Sequence, residues 1–316
     1  MLLRQTQSVR PVAQMGAICG FLLYFGTVSW APNVGLVEPV AVRAEPVAPN
    51  PVTDPPQYLD FSELRTPRVR ARSAVIYNPR THEILWESHA QALRSIASIT
   101  KVMTALVFLD DDPDLTRDVV VSRRDVRRAS TTYLRRGERI RLRDVLHLAL
   151  VASDNAAARV LARVSPGGTD SFVEKMDAKA AELGLRHTTF ADPTGLNQRN
   201  LSTAYEVSRL ISHAAEQPQI GSIMRKSSYR LQTSRRALTV RNTNRLLRGR
   251  MSVRGGKTGY IDASGYCLAA LVNIPDSGPL AVVVLGVGSS SGRYRDVTRL
   301  VDWVSNQGRS LLSTSD

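Results

Sequence analysis

Ser98-Ile99-Thr100-Lys101 places a hydroxyl and an amine three residues apart at the head of an apolar run. On a helix, residues with that separation share a face, so the two groups can meet. A neutral amine can take the hydroxyl proton and turn a poor nucleophile into an effective one. Arg cannot do this, because guanidinium keeps its proton at any accessible pH. Of 42 Lys plus Arg, only five are Lys: Lys101, Lys175, Lys179, Lys226 and Lys257. Only Lys101 has a Ser three residues before it. Two further stretches carry matching chemistry. Ser153-Asp154-Asn155 offers a hydroxyl and a carboxamide at i and i+2, and Lys257-Thr258-Gly259 offers an ammonium and a hydroxyl beside glycines that let backbone approach a ligand closely. Taken singly, each has a plainer reading: a capping Ser with an unrelated Lys, a turn, a strand-edge Lys.

The elements around these stretches must bring them together. "ARSAVIYN-PRT-HEILWES" alternates apolar and polar residues about a Pro79–Thr81 turn and predicts a β-hairpin. Ile99, Val102, Met103, Leu106 and Leu109 then repeat at helical spacing, with Ser98 as the expected N-cap. The middle of the chain reads as helices. "RLRDVLHLALVA" and "AAARVLARV" flank Ser153-Asp154-Asn155; "TDSFVEKMDAKAAELG" has Thr169 or Asp170 as its expected cap and Gly184 as its stop; "STAYEVSRLISHAAEQP" is expected to stop at Pro218. Strands return in "SYRLQT", "GYCLAALVNI" and "LAVVVLGVG", with Lys257 at the start of a β-run, and "YRDVTRLVDWVSNQ" closes as an amphipathic helix. Strands at both ends with helices between them predict an α/β fold: one antiparallel sheet built from distant segments, flanked by helices, with a helical lobe inserted.

Arg4 and Arg10 precede an uncharged, largely apolar stretch from about Val12 to Trp30, and Val42 and Ala44 supply small residues for cleavage. That is a signal-peptide pattern, with an uncleaved anchor as its alternative. The expected organisation is 1–44 signal peptide, 45–70 Pro-rich linker, 71–307 catalytic domain and 308–316 tail. The formal charge of +14 suits an anionic partner, and export turns that expectation away from nucleic acid. Nine Arg between Arg123 and Arg143 read as a solvated basic face or as a peripheral contact with an anionic wall or membrane surface. Cys19 lies in the expected signal, so Cys267 would stand alone as a small buried hydrophobe. The five His show no metal-ligand spacing, and neither metal nor cofactor is expected.

In the order S-x-x-K, S-x-N, K-T-G, the three stretches match the signature of penicillin-recognising serine enzymes. From about Ala71 to Val304 the chain resembles the low-molecular-mass penicillin-binding proteins, the serine D-alanyl-D-alanine peptidases of bacterial cell walls. "IASITKVMTAL", "LALVASDNAAA", "ADPTGLN" and "GGKTGYIDASGYCL" carry the likeness. It implies a β-lactamase/DD-peptidase-like fold and a periplasmic enzyme acting on peptidoglycan stem peptides, covalently inhibited by β-lactams. It implies Ser98 as the acylated nucleophile, Lys101 as its base and Ser153 as proton relay. Asn155 would hold the substrate's peptide, and Lys257, Thr258 and Gly259 would receive its carboxylate. The backbone N–H groups of Ser98 and Tyr260 would form the oxyanion hole. Burial, a nearby Lys257 ammonium and the positive end of the helix would together lower the proton affinity of Lys101. A β-lactamase of the S-D-N class needs a Glu to activate water; here Asp192–Asn197, "DPTGLN", resembles the peptidase version. "KTGYIDASGYCL" and "VRNTNRLL", together with the short stretch after Lys257, resemble the endopeptidase subgroup, which cuts crosslinks between stem peptides; a carboxypeptidase removing the terminal D-Ala is the alternative, and a non-catalytic wall-binding protein the rival from another class.

Overall fold

The computed structural model describes residues 66–313 apart from Asp276. The expected signal peptide and most of the expected linker lie outside the described residues. The expected hairpin is present. β1 (Ser73–Tyr77) and β2 (Ile84–Ser88) pair antiparallel, with Ala74 opposite Ser88, and the Asn78 side chain accepts from the Arg80 and Thr81 N–H groups in the turn. After the two-residue strand β3 (Arg94–Ser95) the chain enters α1 (Thr100–Asp110) through a 3-10 turn, Ala97–Ile99. The N-cap is therefore Ile99 and not Ser98, and no side chain caps this helix. The Ser98 hydroxyl has another partner, described below. Every α1 residue from Thr100 to Phe108 is buried, so the helix runs through the interior and not along the surface.

The helical lobe follows. A ribbon of β4 (Asp118–Val120) and β5 (Arg139–Arg141) brackets α2 (Arg123–Val126), whose Ser122 and Asp125 cap each other reciprocally. α3 (Leu142–Val151) and α4 (Asn155–Val164) meet at Ser153, and Asp154 caps α4 by accepting from the Ala157 N–H at 2.9 Å. α5 (Gly168–Glu182) starts earlier than the sequence predicts. Gly167, at φ +84°, is its N-cap, displacing Thr169 and Asp170, whereas Gly184 at φ +67° ends it as expected. β6 (Leu201–Ser202) pairs with β3, and α6 (Ala204–Glu216) is capped by Thr203. Pro218 does more than stop α6: it is the first residue of α7 (Pro218–Met224), where its missing N–H is no loss.

The chain then makes the hairpin β7 (Ser228–Gln232) and β8 (Ala237–Arg241) before three ten-residue strands, β9 (Ser252–Ile261), β10 (Gly265–Ile274) and β11 (Gly278–Val287). The central sheet has the order β2-β1-β11-β10-β9, all antiparallel, so strands from the two ends of the described chain lie side by side. Lys257 lies in the middle of β9, not at the start of a β-run, and β9 is an edge strand. The apolar runs of β10 and β11 are buried on both faces. One face packs on a core that contains α1, α3, α4 and α6; the other, through Leu268, Ala270, Val282 and Val284, packs on Val297 and Leu300 of α8 (Ser290–Ser313). Fully burying a side chain of this size stabilises by roughly 1.5–3 kcal/mol. Cys267 is fully buried in β10 opposite Gly259.

Candidate active site

Ser98 sits on a turn held from two sides. The Ile96 N–H donates to the Asn200 carbonyl, and Ala97 takes φ +46°, an uncommon conformation for a residue with a side chain. Gly195 and Gly259 press against this turn. A Cβ on Gly195 would lie 1.9 Å from the Ala97 carbonyl oxygen, and one on Gly259 would lie 2.7 Å from that of Ile96. Both glycines are therefore needed for approach. Ser98 itself is half-buried, and its Oγ accepts from the Lys101 amine at 2.9 Å.

Lys101 is fully buried, which is rare for this residue. Its Nζ makes three hydrogen bonds: to Ser98 Oγ, to Asn155 Oδ1 at 2.7 Å and to the Thr194 carbonyl at 2.5 Å. The last partner comes from a loop that fixes itself. Asp192 accepts from the Thr194 and Gly195 N–H groups, from the Thr194 hydroxyl and from the Asn200 amide. Burial lowers the Lys101 pKa to about 7; Asp192 and Asp154 pull it upward, and Arg159 pulls it further down. No carboxylate hydrogen-bonds the amine among the described residues. The Asn155 carboxamide also donates to the Ala129 carbonyl at 2.7 Å, so its oxygen and one N–H are engaged.

Across the cleft, Lys257 Nζ donates to Ser153 Oγ at 2.7 Å and to the Thr258 carbonyl at 2.9 Å. Ser153 is held at φ +59° where α3 gives way to α4. Burial, then the charges of Lys101 and Arg293, push the Lys257 amine well below its ordinary pKa. Burial thus disfavours the ammonium that the sequence suggested, and an arriving carboxylate would favour the charged form. The Thr258 hydroxyl donates to Thr243 Oγ1 at 2.7 Å, and Thr243 donates its N–H to the Val151 carbonyl. Tyr260 stands on the rim, 46% exposed, stacked on Tyr266.

Two functional groups escaped the sequence reading. Asp192, Thr194 and Gly195 belong to a stretch noticed for its resemblance, but nothing in their types shows that a backbone carbonyl would meet Lys101. Arg293, on α8, is buried behind the site and donates to the Gly259 and Cys267 carbonyls at 3.1 and 3.3 Å, and its Nε has no partner among the described residues. Its only sequence signal is an Arg early in an amphipathic helix.

The geometry thus yields a serine paired with a deprotonatable amine, and a second serine paired with a second amine. Residues 61–289 match the family described as D-alanyl-D-alanine carboxypeptidase. The chain belongs to that family. Within it, the chain is 33% identical over 277 residues to a D-alanyl-D-alanine endopeptidase of Escherichia coli, covering 86% of this chain and 88% of that one. It is 29% identical to the D-alanyl-D-alanine carboxypeptidase DacF of Bacillus subtilis, covering 75% of this chain and 62% of that one. The solved D-alanyl-D-alanine carboxypeptidase of Mycobacterium tuberculosis superposes with a TM-score of 0.70 at 27% identity, covering 76% of this chain and 92% of that one. The chain is accordingly a serine D-alanyl-D-alanine peptidase by family, with the penicillin-binding fold. Among the described residues no helix is long and apolar enough to cross a membrane.

Proposed function

We propose that this chain is an exported, periplasmic D-alanyl-D-alanine endopeptidase that cuts crosslinks between peptidoglycan stem peptides through an acyl-enzyme on Ser98. The observation that carries the reading is the Lys101 amine: fully buried, 2.9 Å from Ser98 Oγ, with a pKa near 7. About half of the molecules would hold it neutral at pH 7, against about one in a few thousand for an ordinary lysine. The neutral amine takes the Ser98 proton as Oγ forms a bond to the scissile carbonyl carbon. The oxyanion is received by the N–H groups of Ser98 and Tyr260. As the carbon–nitrogen bond breaks, Ser153, which lies on Lys257, gives its proton to the leaving amine and takes in return the one that Lys101 received from Ser98, so that Lys101 is neutral again. Water then attacks the ester, with Lys101 again as base and Ser98 as the leaving group. In a β-lactam the leaving nitrogen stays tethered to the acyl group, which explains covalent inhibition.

Lys257 and Thr258 lie where the substrate carboxylate would be held by charge-assisted hydrogen bonds, typically ~1.5–3 kcal/mol each. Gly259 contributes by its lack of a side chain, which lets β9 close on the Ser98 turn. As an edge strand, β9 also offers a row of backbone groups to which an extended peptide can be added. The preference for endopeptidase rests on the extent of the likeness: the E. coli endopeptidase is matched over 88% of its length, DacF over 62%.

Purified protein incubated with crosslinked muropeptide dimers and, separately, with monomeric pentapeptides tests the reading. Dimers should be converted to monomers at least ~10-fold faster than pentapeptides lose D-Ala. The reverse order makes the chain a carboxypeptidase. Hydrolysis of neither, with no label at Ser98 from a fluorescent penicillin, leaves a non-catalytic wall-binding protein.

A further inference from the structure

The nine Arg between Arg123 and Arg143, all exposed, do not form one face. Three of them, Arg139, Arg141 and Arg143, line a groove of about 540 Å³ between the β4–β5 ribbon and the β7–β8 hairpin, and Arg230 joins them from nearly ninety residues on. Arg139 and Arg141 are two apart on β5, with Ile140 between them turned into the core, so their side chains stand on the same face. The groove also contains Asp118, opposite Arg141, and Asp144, which is occupied by the Tyr229 hydroxyl at 2.6 Å. Among the described residues Arg139, Arg141 and Arg230 have no carboxylate partner.

The walls of this groove are fixed. Buried Glu138 pairs with Arg236 at 3.0 Å, the Ser234 N–H donates to the Arg139 carbonyl, and Tyr229 stacks on His147 of α3 at 3.9 Å. Its position relative to the cleft follows from two elements. α3 begins at the groove and ends next to Ser153, and β8 begins at the groove and leads to Thr243, the partner of Thr258. Ten helical residues and six extended ones put the two sites roughly 15–20 Å apart.

We propose that the groove is a second binding site for peptidoglycan, taking carboxylates of the same wall polymer at a point removed from the bond being cut. Planar guanidinium groups in a row match carboxylates by paired hydrogen bonds. A concave, polar groove suits an extended strand. A membrane surface fits less well, because none of the exposed large apolar side chains (Leu93, Val120, Tyr133 and Tyr260) lines the groove. The choice of polymer rests on the peptidase reading above; the groove and its charge do not.

The test compares R139Q/R141Q/R230Q with R123Q/R124Q/R128Q, which removes equal charge outside the groove. Each full-length variant is sedimented with purified sacculi, with sacculi whose carboxyls have been amidated, and with phosphatidylglycerol vesicles. Hydrolysis of a soluble peptide is measured in parallel. The groove variant should bind sacculi at least ~10-fold more weakly and the control variant less than threefold more weakly. Wild type should bind amidated sacculi no better than the groove variant binds native ones, and soluble-peptide turnover should stay within twofold throughout. Equal losses in both variants, no loss, a loss confined to vesicles, or a parallel collapse of soluble-peptide turnover would each overturn the proposal. A wild type that cuts no peptide sinks the peptidase reading and leaves the sedimentation contrast intact.

Discussion

A lysine buried without a carboxylate partner is costly to keep charged, and in the mechanism proposed for Lys101 that cost is the source of reactivity. Three acceptors, Ser98 Oγ, Asn155 Oδ1 and the Thr194 carbonyl, surround the amine, so it stays hydrogen-bonded whichever proton leaves it. Lys101→Arg would keep a cation there and remove the base. The rate of penicillin acylation should fall at least ~10³-fold, about 4 kcal/mol in barrier. In the wild type that rate should rise with pH through about 7, as the amine loses its proton, and level off above. Below pH 7 it should drop about tenfold per unit. Stopped-flow acylation from pH 5 to 9 checks both; an inflection near the ordinary lysine value, or a variant within threefold of wild type, contradicts the assignment.

Elements deliver these residues through close contacts more than through long interfaces. The loop from Asp192 to Asn200 reaches Lys101 only because Gly195, at φ +80°, lets its backbone touch that of Ala97. Gly195→Ala would add a Cβ where no atom fits, in a conformation that itself costs an L-residue roughly 1–2 kcal/mol. The variant should unfold at lower denaturant and acylate at least ~10-fold more slowly, since Thr194 would be shifted from the amine. Unchanged acylation would show that the loop does not position Lys101. The same loop marks the limit of sequence reading. S-x-x-K, S-x-N and K-T-G are short local patterns, and the β1–β2 hairpin, β7, β10 and β11 are periodic, so these were legible in the sequence, whereas β4, β5, β8 and the first half of β9 were not. A carbonyl on a buried amine is neither local nor periodic. Nor is a Glu138–Arg236 pair that joins two distant hairpins, or an Arg293 whose value lies in the carbonyls it meets. The displaced cap at α1 has a different cause: Ser98 is an ordinary N-cap residue by propensity, but it lies within the 3-10 turn and its hydroxyl accepts from the Lys101 amine.

At the scale of the molecule, the sheet supplies Lys257 and Thr258, the helical lobe supplies Ser153 and Asn155, and α1 lies between them with Ser98 and Lys101 at its head. The site is therefore a seam and exists only while the two parts stay closed. Cys267 lies directly behind it, opposite Gly259 and fully covered, its thiol pushed up in pKa by burial. A thiolate-seeking reagent can reach that sulfur only after the layer packed on that face of the sheet opens away from it, which makes the side chain a clock for opening of the core behind the site. Its labelling, located by mass mapping, should be slow in the native protein and at least ~10-fold slower once penicillin has bridged Ser98 to Lys257. Ser98→Ala should show no such protection. Fast labelling indifferent to the acyl group would mean that the layer over the sulfur opens independently of the chemistry, with the seam at Ser98 playing no part in holding it shut.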